Sequence, residues 1–226
     1  GISCADMITT VSPTYAGEIQ TPEGGFGLDG LLRVRSDCVR GVLNGCDLET
    51  WNPKTDKLLP ANYDYKNLAN KVKCKAELQK RMGLPVNPNI PVIGIVTRLA
   101  DQKGIAEIFA PTYGSIYQMC TDMDLQFAIL GSGEKWCEDE INSLQSKLPN
   151  LRAYIGYDES LSHLIEAGSD FFLMPSRYEP CGLNQMYSML YGTLPIVRRT
   201  GGLADTVEQY NEFSGDGTGF LFDSLT

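Results

Sequence analysis

Short apolar, β-branched runs at residues 7–12, 91–97, 125–131, 151–156, 170–174, 194–198 and 219–222 constrain this chain more than anything else in it. They do not alternate apolar with polar residues, so they read as strands covered on both faces, the pattern of parallel sheets. Between them, residues 67–82, 105–120, 135–148, 160–167, 183–191 and 203–210 carry apolar positions at helical spacing. Strand–helix alternation with right-handed crossovers predicts an α/β fold, a doubly wound, mostly parallel, Rossmann-like sheet. Its 226 residues suit one domain with an appendage. The Gly- and Pro-rich stretch at 21–27 reads as a flexible connection, dividing residues 1–22 from residues 23–226.

The formal charge of −9 argues against nucleic acid or an anionic membrane as partner, because both require a basic surface. No apolar run reaches the roughly 20 residues of a membrane helix, and the first residues lack the pattern of a signal peptide. Seven cysteines without a Cys-x-x-Cys pair read as reduced thiols rather than a disulfide framework or zinc site. With a single histidine, His163, a His-rich metal site is impossible. A cytoplasmic protein is the simplest expectation.

The apolar run at 170–174 ends in a loop carrying one acid, Glu179, and opens into a helix near Gly182. Ligands of open α/β sheets sit beyond the carboxyl ends of the strands, and free N–H groups at a helix start favour anions. A lone carboxylate beside an anion site suits a ligand with both hydroxyls and phosphate, although an acid near a helix start can also serve only the dipole. After the strand at 91–97, Arg98 and Lys103 flank a turn that can aim both cations at one anion; solvated surface charges are the plain alternative.

The segments 175–192 and 198–205, with Thr97-Arg-Leu-Ala-Asp-Gln-Lys-Gly104, strongly resemble the bacterial glycogen synthases and plant starch synthases. Residues 6–13, 41–47 and 219–222 extend the likeness over nearly the whole chain. The resemblance implies the C-terminal, nucleotide-sugar-binding domain of a GT-B type glycosyltransferase, with residues 1–22 closing the N-terminal domain and the catalytic N-terminal domain otherwise missing. It implies hexosyl transfer with retention from ADP-glucose, or another nucleoside-diphosphate glucose, to the non-reducing end of an α-1,4-glucan. The chain alone is then expected to be inactive. No cofactor or metal is implied, since cations and a helix start can neutralise the leaving diphosphate. A plastid is the alternative location if the source is a plant or alga.

Carried over residue by residue, Arg98 and Lys103 match the cations that stabilise the diphosphate, and Glu179 matches the acid beside the donor sugar. Cys181, Gly182, Leu183 and Asn184 match the helix-start segment on the diphosphate. Tyr157 matches the aromatic that stacks on the base, its plain alternative being partly buried packing. Asn44 matches a residue near the donor glucose, or is simply a turn residue in Asn-Gly. Many related transferases carry a second acid eight positions after the first; here Tyr187 stands there, as in the starch and glycogen synthase pattern. Two other readings stay open: a nucleotide-binding module without transferase activity, and a nucleotide-sugar transferase with a different acceptor.

Four features are weaker. Leu130-Gly-Ser-Gly-Glu134 lacks the third glycine of a dinucleotide fingerprint, because Trp136 occupies it, and reads as a turn lining the nucleotide pocket. The Gly-rich turn at 199–203 reads equally as a phosphate loop or a tight strand–helix connection. His163 reads as a helix-surface or packing residue rather than a catalyst, and Cys181 is a nucleophile only if His163 lies within hydrogen-bond reach.

Overall fold

The computed structural model describes residues 1–112 and 114–225. The element order is β1 (Ile8–Thr10), α1 (Pro13–Glu18), α2 (Asp29–Val34), β2 (Val39–Gly41), α3 (Lys71–Met82), β3 (Val92–Leu99), α4 (Ile105–Phe109), α5 (Ile116–Asp122) and β4 (Gln126–Gly133). There follow α6 (Lys135–Lys147), β5 (Leu151–Ile155), α7 (Glu159–Gly168), β6 (Phe171–Met174), α8 (Asn184–Leu190), β7 (Leu194–Arg198), α9 (Gly201–Thr206) and β8 (Phe220–Phe222).

Strands β3 to β8 form a six-stranded sheet of order β5-β4-β3-β6-β7-β8, every neighbour parallel. Period-two alternation sends successive side chains to opposite faces, and both faces are covered. Ile93, Ile95, Phe127 and Ile129 join Ile105, Phe109 and Ile141 of α4 and α6 on one side. Val92, Ala128, Leu130 and Phe172 join Leu78, Leu164 and Ile165 of α3 and α7 on the other. The expected doubly wound parallel sheet is therefore the observed architecture.

The expected strand at 7–12 lies outside that sheet. It becomes β1, paired only with β2 (Ile8 with Val39, Thr10 with Gly41), in a small unit with its own apolar cluster of Ala16, Leu32 and Val39. The expected division between residues 22 and 23 falls inside this unit, between α1 and α2. Two carboxylates fasten the unit to the larger sheet by capping each other's helices. Asp205 of α9 accepts from the Thr14 N–H at 3.0 Å and from the Ser12 hydroxyl at 2.6 Å at the start of α1. Glu18 of α1 accepts from the Gly201 N–H at 2.8 Å and the Thr200 hydroxyl at 2.9 Å at the start of α9. Each charge faces the positive end of the other's helix.

The expected helix at 105–120 is broken. Pro111 disfavours helical geometry at the residue before it, and Ala110 is extended (φ −60°, ψ 133°), so α4 stops at Phe109 and α5 starts at Ile116. Tyr113, within that expected helix, lies outside the described residues, as does Thr226.

Residues 42–70 hold no helix or named strand and are pinned by side chains instead. Asp56, 5% exposed, accepts from the Tyr191 hydroxyl at 2.6 Å and pairs with His163 Nδ1 at 2.7 Å. Burial alone would raise that carboxyl, but bonds from His163, Tyr191 and the Leu58 N–H outweigh it and hold it below the usual carboxylate range. Trp51 stacks on His163 at 3.8 Å and on Tyr187 at 4.2 Å between ring centres.

Candidate functional site

The strand order reverses at the β3–β6 pair, the point where an open sheet leaves a crevice at its carboxyl edge. β3 and β6 pair only at Ile93–Phe171 and Gly94–Phe172, so β3 runs on beyond this pairing to Leu99. The side-chain amide of Asn184 donates to the Val96 carbonyl at 3.1 Å, tying the start of α8 to β3 there.

Both motifs open onto this crevice. After β3, a 3-10 turn at Asp101–Lys103 leads into Gly104, whose left-handed backbone (φ 68°) lies so close to the loop after β6 that a Cβ would come 2.0 Å from the Pro175 carbonyl oxygen. Only glycine lets the two loops touch. The contact brings Lys103 Nζ to 2.5 Å from Glu179 Oε2, where the Ser176 hydroxyl also donates at 2.9 Å. Gln102 Nε2 donates to the Tyr178 carbonyl at 3.2 Å and the Arg177 N–H to the Gln102 carbonyl at 2.9 Å, so the loops are laced through backbone as well.

The Gly-rich turn at 199–203 lies behind the loop. A Cβ on Gly201 would sit 1.9 Å from the Glu179 carbonyl oxygen, and the Gly202 N–H donates to that same oxygen at 3.0 Å. Of its two open readings, the turn takes the tight strand–helix connection, and it fixes where Glu179 stands.

A cleft of about 860 Å³ occupies the crevice. All nine residues expected in the site line it: Arg98, Lys103 and Glu179, the run Cys181, Gly182, Leu183 and Asn184, and also Asn44 and Tyr157. Arg98 is exposed at the end of β3, its guanidinium only 3.4 Å from Gln102 Oε1, so it is held loosely. Tyr157 is 84% exposed, which removes the buried-packing alternative for its ring. Cys181 and Glu179 are buried, at 5% and 6%.

One expectation changes. Gly131, Ser132 and Gly133 continue β4, paired with Thr97 to Leu99 of β3, rather than forming a turn; Gly131 and Ser132 still line the cleft. His163 makes no Cys–His dyad and is a packed residue, not one on the helix surface, because its Nδ1 is committed to Asp56, its ring lies under Trp51 and its Nε2 is buried without a partner among the described residues. Among the described residues no group of three or more His, Cys, Asp or Glu side chains is placed to hold a metal ion. No helix among them is long and apolar enough to cross a membrane.

Sequence reasoning missed Ser176, Gln102, Ser162, Glu166, Trp51 and Val11, all of which line the cleft. Ser176 and Gln102 were inside the quoted motifs as polar residues flanking the chosen ones. Glu166 had its own signal, an acid within the apolar stretch of a helix that is otherwise buried.

A family model described as Glycosyl transferases group 1 matches residues 77–225, and one described as Starch synthase catalytic domain matches residues 1–34. The chain is 62% identical over 222 residues to a glycogen synthase of Treponema denticola, covering 98% of this chain and 45% of that protein. It is 52% identical over 226 residues to a glycogen synthase of Myxococcus xanthus, covering 100% and 45%. The solved catalytic domain of starch synthase IV from Arabidopsis thaliana bound to ADP and acarbose superposes with a TM-score of 0.90 at 39% identity, over 100% of this chain and 46% of that one. The chain thus spans about half the length of the curated relatives it matches.

Proposed function

The chain belongs to group 1 of the glycosyl transferases, within the family of bacterial glycogen synthases and plant starch synthases, and we propose that it forms the donor-binding half of a retaining α-glucan glucosyltransferase. The observation that carries this reading is the pairing of Lys103 with Glu179 at the sheet's switch point, in one cleft that Arg98 also lines and that is large enough for a nucleotide sugar. The donor would be ADP-glucose, and the acceptor the non-reducing end of an α-1,4-glucan.

In this reading the bond from the glucose C1 to the diphosphate breaks, and negative charge grows on the leaving oxygens. Lys103, held in place by Glu179, and Arg98 at the rim stabilise that charge. The run from Cys181 to Asn184 contributes N–H groups from the uncapped start of α8. Glu179 grips the sugar through Oε1, since its two side-chain hydrogen bonds among the described residues both fall on Oε2, and its charge favours the cationic character that develops at C1. Tyr157 offers its free face to the base, and Asn44 reaches the sugar side of the cleft.

The unit of residues 1–41, rather than residues 1–22 alone, belongs with the first half of the relatives' length, because β1 pairs with β2 across the expected division. The relatives' additional half would oppose the cleft and hold the acceptor. The cytoplasm is the proposed compartment, in keeping with free cysteines throughout.

The test is transfer of labelled glucose from ADP-glucose to glycogen by the parent protein, with calorimetry of ADP and UDP on this chain. Transfer with preference for ADP supports the proposal. ADP binding without transfer by the parent protein would leave only a nucleotide-binding module.

A further inference from the structure

We infer that Arg177, which does not line the cleft, is the positioning residue that keeps Lys103 where the diphosphate meets it. The inference rests on the donor-site reading above and adds to it a residue that acts from outside the cleft.

Lys103 and Glu179 stand on different loops, one after β3 and one after β6, so their meeting depends on what fastens the loops to each other. Arg177 does so with backbone and side chain alike. Its N–H donates at 2.9 Å to the carbonyl of Gln102, the residue before Lys103, and its own carbonyl accepts from Arg198 Nη1 at 2.6 Å at the end of β7. Its guanidinium crosses to the loop of Lys103, with Nε 3.3 Å from Asp101 Oδ1 and Nη2 2.5 Å from Glu107 Oε1. These two acids bracket Lys103 in the chain.

Among the described residues, three ion pairs join the two loops: Lys103 with Glu179, and Arg177 with Asp101 and with Glu107. The first has to change when a diphosphate arrives, because Lys103 is then shared. The other two need not, since none of Asp101, Glu107 and Arg177 lines the cleft. An exposed ion pair adds little to stability, and Asp101, 69% exposed, is no exception. Glu107 is different at 16%, and a planar guanidinium held by two carboxylates at once fixes direction as well as distance.

Arg177 also keeps the two acids occupied. Without it they lose the cation they share, and Lys103, a point charge on a flexible four-carbon stem, gains two rival partners in its own segment. The loop that carries Glu179 loses its charged tie at the same moment. Both effects draw Lys103 away from the phosphate, and neither reaches the base.

Calorimetry of this chain with ADP, inorganic pyrophosphate and adenosine tests the inference. Arg177→Ala is expected to weaken ADP and pyrophosphate by about three- to tenfold, as for residues coupled through shared partners, and to leave adenosine as in wild type. Glu107→Gln, which leaves the sequence of the Glu179 loop untouched, should weaken the same two ligands and spare the third. Arg177→Lys should recover only part of the loss, because one ammonium cannot reproduce the fork between two acids. In a Lys103→Ala background, Arg177→Ala should lower ADP affinity no further. A merely structural role would weaken adenosine along with the rest and would add in full to Lys103→Ala; either result would overturn the inference. So would wild-type pyrophosphate affinity in both Arg177→Ala and Glu107→Gln. A wild-type chain that binds neither ADP nor pyrophosphate would overturn the donor-site reading itself, a failure visible before any variant is made.

Discussion

Lys103 Nζ stands 2.5 Å from Glu179 Oε2, so the cation expected on the diphosphate and the acid expected on the sugar are already paired with each other across the two loops of the cleft. The pair is partly shielded, with side-chain exposures of 19% and 8%. A diphosphate arriving beside it has to share Lys103 with Glu179, which ties the strength of phosphate binding to the charge of the sugar-side acid.

The first prediction follows from that sharing. Lys103→Ala and Arg98→Ala should each lower ADP affinity by roughly tenfold to a hundredfold, the contribution of a charge-assisted contact. Glu179→Gln should move the other way, raising ADP affinity by about two- to fivefold as Lys103 is released, while turnover of the parent protein collapses. Calorimetry beside a transfer assay checks it; weaker ADP binding by Glu179→Gln would show that the pair holds Lys103 in place rather than competing for it.

The second prediction concerns Tyr157, whose exposed ring has no aromatic partner among the described contacts. Tyr157→Ala should weaken ADP and free adenosine by a similar factor, about two- to tenfold, since stacking acts on the base. Pyrophosphate should bind as before. Loss confined to ligands with phosphate would place the ring elsewhere.

The third prediction is a pH dependence. The Glu166 carboxyl ionises near its usual 4.5 when unfolded and at about 8 when folded, chiefly because burial disfavours the charge. Between those values the native state holds a proton that the unfolded state has lost, so rising pH removes stability across that window. Glu166→Gln cannot titrate. The difference in unfolding free energy between wild type and Glu166→Gln should therefore shift in the variant's favour from pH 4.5 to 8, on the order of a few kcal/mol. Parallel denaturation curves at a series of pH values read it directly, and a constant difference would mean that Glu166 is ionised in the fold.

The fourth prediction concerns the exchanged caps between α1 and α9. Glu18→Ala or Asp205→Ala should each destabilise the seating of residues 1–41 by about 1 kcal/mol, the usual effect of losing a helix cap. Amide hydrogen exchange is expected to rise in β1, α1 and β2 and to stay low in β3 and β4. Uniform acceleration over the whole chain would instead make the two parts one cooperative unit.

The sheet was legible because β3 to β8 are continuous apolar runs, and burial on both faces demands that pattern whatever the neighbours. Residues 8–10 have the same local character as Val92 and Ile93, and nothing local says that their partner is Val39 rather than a strand of the large sheet; pairing is a non-local property. The break at Ala110 could be read from Pro111, yet apolar spacing on both sides masked it. In the site, Glu179, Arg98 and Lys103 were readable through their motifs. Glu166 and Ser188 were not, since their relation joins two helices that are 22 positions apart in sequence. The segment at 42–70 was the least legible, because Asp56, Trp51 and Tyr63 are fixed by side-chain contacts to α7, α8 and the residues after them, not by periodicity.

The last prediction is that this 226-residue chain folds and binds ADP yet transfers no glucose. Its six-stranded sheet has an apolar cluster on each face, and both donor-side motifs already meet in the cleft, so a formed nucleotide site is physically reasonable. Transfer asks for more than a held donor. The acceptor hydroxyl must be kept at attacking distance, which contributes a large share of the barrier reduction in such reactions, and water must be kept from the activated C1. Here Tyr157 is 84% exposed and Arg98 is exposed at the rim, and the chain spans under half of each curated relative that it matches. Incorporation of labelled glucose from ADP-glucose into glycogen by the purified chain, measured beside ADP calorimetry, is expected to stay at background while ADP binds. Robust incorporation would show that the cleft described here holds the acceptor unaided, and the donor-half reading would have to give way to that of a complete transferase.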